Sequence, residues 1–258
     1  MTEEPPLDGS PLSGPLPGPA PAAEPERFPF WGYADLFLLA GLAMPCLFAG
    51  WGTVWLVVRI LGLHDVAPAA ESVAEMLIGY GLLFAAMMVI FRVQYDRPFW
   101  RSLGWTRTRV PFLWNVICGL GTGLLVAFIA GLIRTPPTSG PIVEMMQGRT
   151  SLILLAIFGT TIAPACEELA FRGFLQPLLV RSLGPLAGIS LASALFGALH
   201  FQEYGDSWRF ALLVALAGAC FGTMRHVTGS TKAAAIMHAS FNALSFVSLF
   251  GQGKHWFQ

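Results

Sequence analysis

The sequence predicts an all-α polytopic bundle of about seven to eight transmembrane helices behind a disordered, proline-rich N-terminal tail, and three observations predict it. Of 258 residues, 55% are apolar before the 28 glycines are added and only 12% are charged. A soluble domain carries roughly 45–50% apolar residues with glycine included and about 25% charged. Mean hydropathy is +0.62, so too few polar side chains exist to cover a water-soluble globule of this size. Uncharged runs recur near the roughly 20 residues that a helix needs to cross about 30 Å of hydrocarbon. A soluble enzyme is excluded. Fifteen Lys and Arg balance fifteen Asp and Glu, which removes the basic footprint of a nucleic-acid-binding protein. Membrane lipid is an expected partner and nucleic acid is not.

Residues 1–30 hold nine of the nineteen prolines, with Gly, Ser and Ala between them. Such a stretch buries too little apolar surface to offset its ordering entropy, and a disordered tail is expected. It has no basic start, apolar core and small-residue cleavage site, so the first span is expected to act as an uncleaved anchor. Residues 31–258 form the integral membrane domain. The first span covers 36–58, with Pro45 placed to kink it. Further spans are expected at about 73–91, 112–133, 152–180, 186–201, 210–224 and 231–250. Backbone polar groups in lipid must be satisfied within the segment, and no ten-residue alternation suggests a barrel, so the spans are helices. On the third, Gly119 and Gly123 form a small-x-x-x-small pair suited to close helix packing. Cys46, Cys118, Cys166 and Cys220 lie scattered in apolar stretches and are expected to serve as small packing residues.

Orientation follows from the basic residues. The linker after the second span carries Arg92, Arg97, Arg101, Arg107 and Arg109 against Asp96, and positive residues favour the cytoplasmic side. Threading seven spans from there also puts Arg27, Arg181, Arg225 and Lys232 inside, and Arg59, Arg134, Arg149, Arg209 and Lys254 outside. The N-terminus is therefore expected in the cytoplasm of a cell with this protein in its inner membrane. Arg172 alone is left within a span.

That residue belongs to the segment SLILLAIFGTTIAPACEELAFRGFLQPLLV, where Glu167, Glu168 and Arg172 interrupt apolar sequence. A charge at mid-bilayer costs about 2.5–3.5 kcal/mol on the insertion scale, so three need partners, water or a function. On a helix Glu168 and Arg172 stand at i and i+4 with the acid N-terminal, and pair. Glu167 is rotated by about 100° and has no such partner. Pro164 removes a backbone donor just ahead, so the helix is expected to break there, with Thr160 and Thr161 placed to bond freed groups. His200 follows Phe196 by one turn, and His238 and Asn242 share a helix face. Counted at about 1.5 Å per residue, all are deep enough to line one cavity, expected to open on the cytoplasmic side. His64, His226 and His255, read as loop or tail residues, are assigned no chemistry.

A glutamate and a histidine in a dry cavity can deprotonate a water, and a second histidine with an amide supplies donors for an oxyanion. Together they point to amide hydrolysis. The motifs of the other intramembrane proteases (HE-x-x-H, G-x-S-G, G-x-G-D) are absent from the chain. In their order on successive apolar helices, E-E-x-x-x-R (Glu167, Glu168, Arg172), F-x-x-x-H (Phe196, His200) and H-x-x-x-N (His238, Asn242) resemble the CAAX protease and bacteriocin-processing family of membrane proteases, including the Rce1-like prenyl-protein endopeptidases. The resemblance covers residues 150–250. It implies that Glu167 is the general base acting on water with His200, that His238 and Asn242 form the oxyanion site, and that Glu168 and Arg172, with Phe196, support them. The substrate is then a peptide or lipidated protein. No cofactor is favoured; the zinc alternative would use Glu167, His200 and His238 as ligands with one open position. Two other classes compete: a non-catalytic membrane immunity or scaffold protein using the same residues as a buried polar network, and an ion or proton carrier.

Cysteine labelling in spheroplasts tests the orientation. The N-terminus and the 92–111 linker are expected to be protected and the C-terminus labelled from outside; the opposite pattern reverses the topology.

Overall fold

The computed structural model describes residues 28–108, 110–137 and 139–252, and all regular structure within them is helical. In chain order the elements are α1 (Tyr33–Leu61), α2 (Pro68–Tyr95), α3 (Phe99–Ser102), α4 (Phe112–Leu132), α5 (Pro141–Met145), α6 (Arg149–Thr160), α7 (Ile162–Glu168), a π-helical turn at Leu169–Leu175, α8 (Gln176–Leu183), α9 (Pro185–Leu199), α10 (Trp208–Thr228) and α11 (Thr231–Gln252). The expected disordered tail lies, as far as residue 27, outside the described residues. Its last three residues correct the boundary: Pro29 is fully buried, and Phe30 packs edge-on against Trp31 and Phe91.

Every predicted span is a helix, most of them extending a few residues past the apolar run. At α1 this extension has a local cause, because the carboxylate of Asp35 accepts the Gly32 N–H at 2.8 Å and so caps the first turn. Six helical stretches among the described residues are long and apolar enough to cross a membrane, counting α6 through α8 as one stretch of 35 residues. The count differs from the expected seven to eight because α9 has only 15 residues. At 1.5 Å per residue that is about 22 Å, short of a full span. His200 closes it with an N–H bonded to Gly197 O, and residues 201–206 turn the chain back into α10. The reading of His226 is corrected as well, since it lies in the last turn of α10.

Contacts between loops sort the ends of the helices onto two sides. Thr231 N–H donates to Gly104 O at 2.8 Å and Ser230 Oγ to Thr106 O at 2.8 Å, while Arg181 donates to Pro29 O. With the Arg97 guanidinium 5.9 Å from the centre of the Phe30 ring, these bonds gather the start of α1, the 96–111 linker, the α8–α9 turn and the α10–α11 turn on one side. Ile142 N–H donates to Glu203 O across the other. The two groups are the ones that alternating spans require.

The motif-bearing half is bound to the N-terminal half by an aromatic core. Trp31 stacks on Phe91 and Phe174 with ring centroids 5.3 and 5.4 Å apart, and its indole N–H reaches Phe174 O at 3.1 Å. Closer to the candidate site, α4 packs on α11 through the glycine pair singled out in the sequence. A Cβ at Gly119 would lie 2.7 Å from Ser240 Cβ, and one at Gly123 would lie 2.7 Å from Leu244. Gly121, on the opposite face, has nothing within 4 Å.

Gly119→Val is therefore expected to push α4 away from α11 and lower stability by about 1–3 kcal/mol, the usual cost of overpacking. Gly121→Ala is expected to leave the melting temperature unchanged or slightly raised. Thermal unfolding of the two detergent-solubilised variants checks the contrast.

Candidate active site

The span carrying the acids is broken where the sequence indicates. Pro164 has no N–H to offer the preceding turn, and the helix interrupts at Thr161, whose φ and ψ are −129° and −77°. Thr161 N–H turns to Phe158 O, and its hydroxyl donates instead to Ile157 O at 2.5 Å. Thr160 Oγ donates to Ala156 O at 2.6 Å. The two threonines thus satisfy carbonyls at the break, and α7 restarts at an angle of its own with Glu167 and Glu168 at its end.

Glu168 and Arg172 are both fully buried, and the predicted pair forms, Arg172 Nη1 donating to Glu168 Oε1 at 3.1 Å. Arg172 Nη2 donates to Gly218 O on α10 at 2.9 Å, and the guanidinium lies 4.4 Å from the centre of the Phe196 ring. Gly218 has to be small, because a Cβ there would meet Arg172 Nη2 at 2.7 Å. The same Oε1 of Glu168 accepts Nδ1 of His238 at 3.0 Å. A carboxylate can only accept in that bond, so Nδ1 carries the proton and the Nε2 of a neutral ring is a lone pair. His238 stacks on Phe221 with centroids 4.5 Å apart.

Glu167, expected to lack a helical partner, has its Oε2 3.9 Å from His238 Nε2. His200 stands at the end of α9 with Nδ1 held by Phe196 O at 2.7 Å and its ring 4.6 Å from that of Phe196. Phe196 is the hub, since its ring also lies 5.9 Å from His238. Asn242 is placed differently from a residue acting with His238 alone: its Nδ2 donates to Gly159 O on α6 at 2.7 Å, leaving one N–H on the amide. Exposure divides the group. The side chains of Glu168 and Arg172 are wholly enclosed, whereas Glu167 and His200 are 21% and 19% exposed.

Two residues that sequence reasoning passed over join the site from the α9–α10 loop. Glu203 Oε2 lies 3.8 Å from His200 Nε2. Burial raises the Glu203 carboxyl above the usual carboxylate range, opposed by His200. Tyr204 is raised too, by burial first and then by the negative charges of Glu203 and Glu167. The available signal was Glu203's spacing of i+3 from His200. A third feature is an apolar cavity of about 370 Å³ between α2, α3 and α7, lined by Phe84, Met88, Phe99, Trp100 and Trp105 and reaching Cys166, next to Glu167. Cys166, like the other three cysteines, is a half-buried free thiol.

No group of three or more His, Cys, Asp or Glu among the described residues is arranged to hold a metal ion. Glu167, His200 and His238 are not gathered into such a group as placed, although the Nδ1 of each histidine is held by a protein oxygen, which leaves Nε2 as the nitrogen that would ligate.

Comparison with protein-family models matches residues 149–244 to the family described as type II CAAX prenyl endopeptidase Rce1-like. That stretch runs from the first residue of α6 into α11 and contains every residue of the three motifs. No curated protein and no solved structure matches the chain.

Because Glu168 Oε1 is bonded to both Arg172 and His238, Glu168→Ala is expected to strand a buried guanidinium at a cost of roughly 3–5 kcal/mol. Expression and melting temperature should fall together. Glu168→Ala combined with Arg172→Leu is expected to recover much of the folding, which thermal unfolding of the single and double variants measures.

Proposed function

We propose that this protein is an intramembrane endopeptidase that hydrolyses a peptide bond near the membrane face through a water activated by Glu167 and His200. The observation that carries this reading is the division of labour at the site. A purely structural polar network accounts for Glu168, Arg172 and Nδ1 of His238, which are closed off and bonded to one another. It gives Glu167 and His200 nothing to do. Those two stay partly open, His200 against Phe196 and Glu167 facing His238 Nε2, within the stretch that matches the Rce1-like family model.

In the proposed mechanism Glu167 takes a proton from the water, and the hydroxide attacks the scissile carbonyl. The developing oxyanion is met by His238 and by the remaining Asn242 amide N–H. His238 donates there only when Nε2 is protonated, with Nδ1 still bonded to Glu168 Oε1. The proton taken up by Glu167 then passes by way of His200 to the departing amine, restoring the carboxylate. No step requires a metal.

A lipidated peptide suits the surroundings best. The apolar cavity reaches Cys166, the neighbour of Glu167 in the chain, and has the size of a small-ligand pocket. It is walled by α3, on the side that the arginine count assigns to the cytoplasm. An acyl or isoprenoid chain held there would bring an attached peptide to the acids from the cytoplasmic leaflet. The proposed setting is accordingly an integral protein of the cell membrane with its N-terminus inside.

Glu167→Gln keeps the volume and loses the base, so a folded variant with kcat lowered at least about 100-fold is expected. Assays of the purified protein on a farnesylated CAAX peptide, with and without a chelator, check both parts. Full activity in Glu167→Gln would remove the catalytic reading. One zinc per chain that restores chelator-inactivated enzyme would turn the same residues into metal ligands.

A further inference from the structure

His200 is held in one orientation. Its Nδ1 lies 2.7 Å from the carbonyl of Phe196, which can only accept, so Nδ1 carries the proton and any further proton must go to Nε2. The group facing Nε2 is Glu203, with Oε2 3.8 Å away. The backbone of Glu203 is fixed independently of the histidine. Its carbonyl accepts Ile142 N–H at 3.3 Å, and Gly205 N–H bonds Gln202 O at 3.1 Å in the same turn. Gly140 and Gly205 pass so closely that a Cβ on Gly140 would lie 2.8 Å from Gly205 Cα, and one on Gly205 would lie 2.6 Å from Ser139 Oγ. The loop between α4 and α6 thus clamps the loop that presents Glu203.

We propose that Glu203 is a positioning residue for the hydrolysis, holding the His200 ring by its Nε2 side and stabilising the imidazolium that forms when His200 takes a proton. Neutral imidazole and ionised carboxylate place a lone pair against a negative oxygen. Protonation at Nε2 turns this pair into an ion pair across a distance at which opposite charges attract, inside a partly water-excluded site. The balance is simple. His200 accepts one proton on Nε2 from the attacking water or from Glu167, and surrenders it to the leaving amine as the peptide bond breaks. Glu203 transfers nothing. The other groups facing this pair are Glu167 on α7, Tyr204 on the same loop, Tyr80 on α2 and His238 on α11. None of the remaining carboxylates is placed to take over, because Glu168 is committed to Arg172 and His238 and Glu167 faces His238.

The inference rests on the proposed hydrolysis, so the test separates the two. Full-length protein carrying Glu203→Gln, Glu203→Asp, Glu203→Ala, His200→Ala or Glu167→Gln is assayed on a farnesylated CAAX peptide, with kcat, KM and melting temperature measured for each. Glu203→Gln keeps the shape and loses the charge. Its expected result is a kcat lowered on the order of 10- to 100-fold with KM and melting temperature unchanged, less than the 10²–10⁴ that a whole acid–base group supplies. Glu203→Asp should recover part of that loss. Retention of wild-type kcat by Glu203→Gln, while His200→Ala and Glu167→Gln are inactive, overturns this inference and leaves the hydrolysis standing. So does equal loss in the Gln and Asp variants with a lowered melting temperature, which marks a purely structural loop residue. Activity retained in both His200→Ala and Glu167→Gln overturns the assignment of the reaction to these residues, and no cleavage by the wild-type protein overturns the hydrolytic reading itself; either result removes this inference with it.

Discussion

One oxygen atom organises the interior of this protein. Oε1 of Glu168 accepts both the Arg172 guanidinium and the Nδ1 proton of His238, and so ties α7, the π-helical turn and α11 at a depth where charges have no water. A buried pair earns little net stability, because desolvation offsets much of the attraction, but breaking one is costly. The network therefore acts chiefly as a register constraint. Arg172 reaches Gly218 O and lies over Phe196, so α9 and α10 take their positions from the same guanidinium. Small residues permit it. Gly218 leaves room for Arg172, while Gly222 leaves room for Gln176, whose amide bonds Gly222 O at 2.9 Å.

The π-helical turn makes this geometry compatible with the rest of the bundle. Bonding from i to i+5 widens the helix, and such turns occur frequently at functional sites. Leu169–Leu175 carries Arg172 and ends where Pro177, without an N–H, begins the next helix. The indole N–H of Trp31 bonds Phe174 O in this turn. Trp31 lies outside residues 149–244, so the stretch that matches the Rce1-like family model is supported here by a side chain from the N-terminal half. Leu103 adds a second support, its carbonyl accepting Thr231 Oγ at the start of α11, the helix of His238 and Asn242.

How much of this was legible in the sequence follows from the range of each interaction. The Glu168–Arg172 pair and the break ahead of the acids are local: one needs only i, i+4 spacing, the other only a proline with threonines before it. The helices were legible because hydrocarbon requires long uncharged runs. The pairing of α4 with α11 through Gly119 was visible as a close-packing motif but without its partner. The short α9 was harder, since its apolar run continues to Phe201 and the turn after it depends on loop contacts. The π-helical turn has no composition of its own, and Trp31 meets Phe174 across 143 positions of chain. His238 Nδ1 meets Glu168 across 70. Spacing rules could assign His238 to a helix face but not to a carboxylate.

The closed network and the open residues also differ in what they allow to move. Glu168, Arg172 and His238 Nδ1 are enclosed and joined through Glu168 Oε1, so that part of the site is held in place. Glu167, His200 and Glu203 retain partial exposure and lie at element ends or on a loop, where water and a peptide can reach them. His238 belongs to both halves, with Nδ1 inside the network and Nε2 at its edge. Through that ring the buried charges are joined to the open side, while Glu167, His200 and Glu203 remain outside the framework that holds the fold.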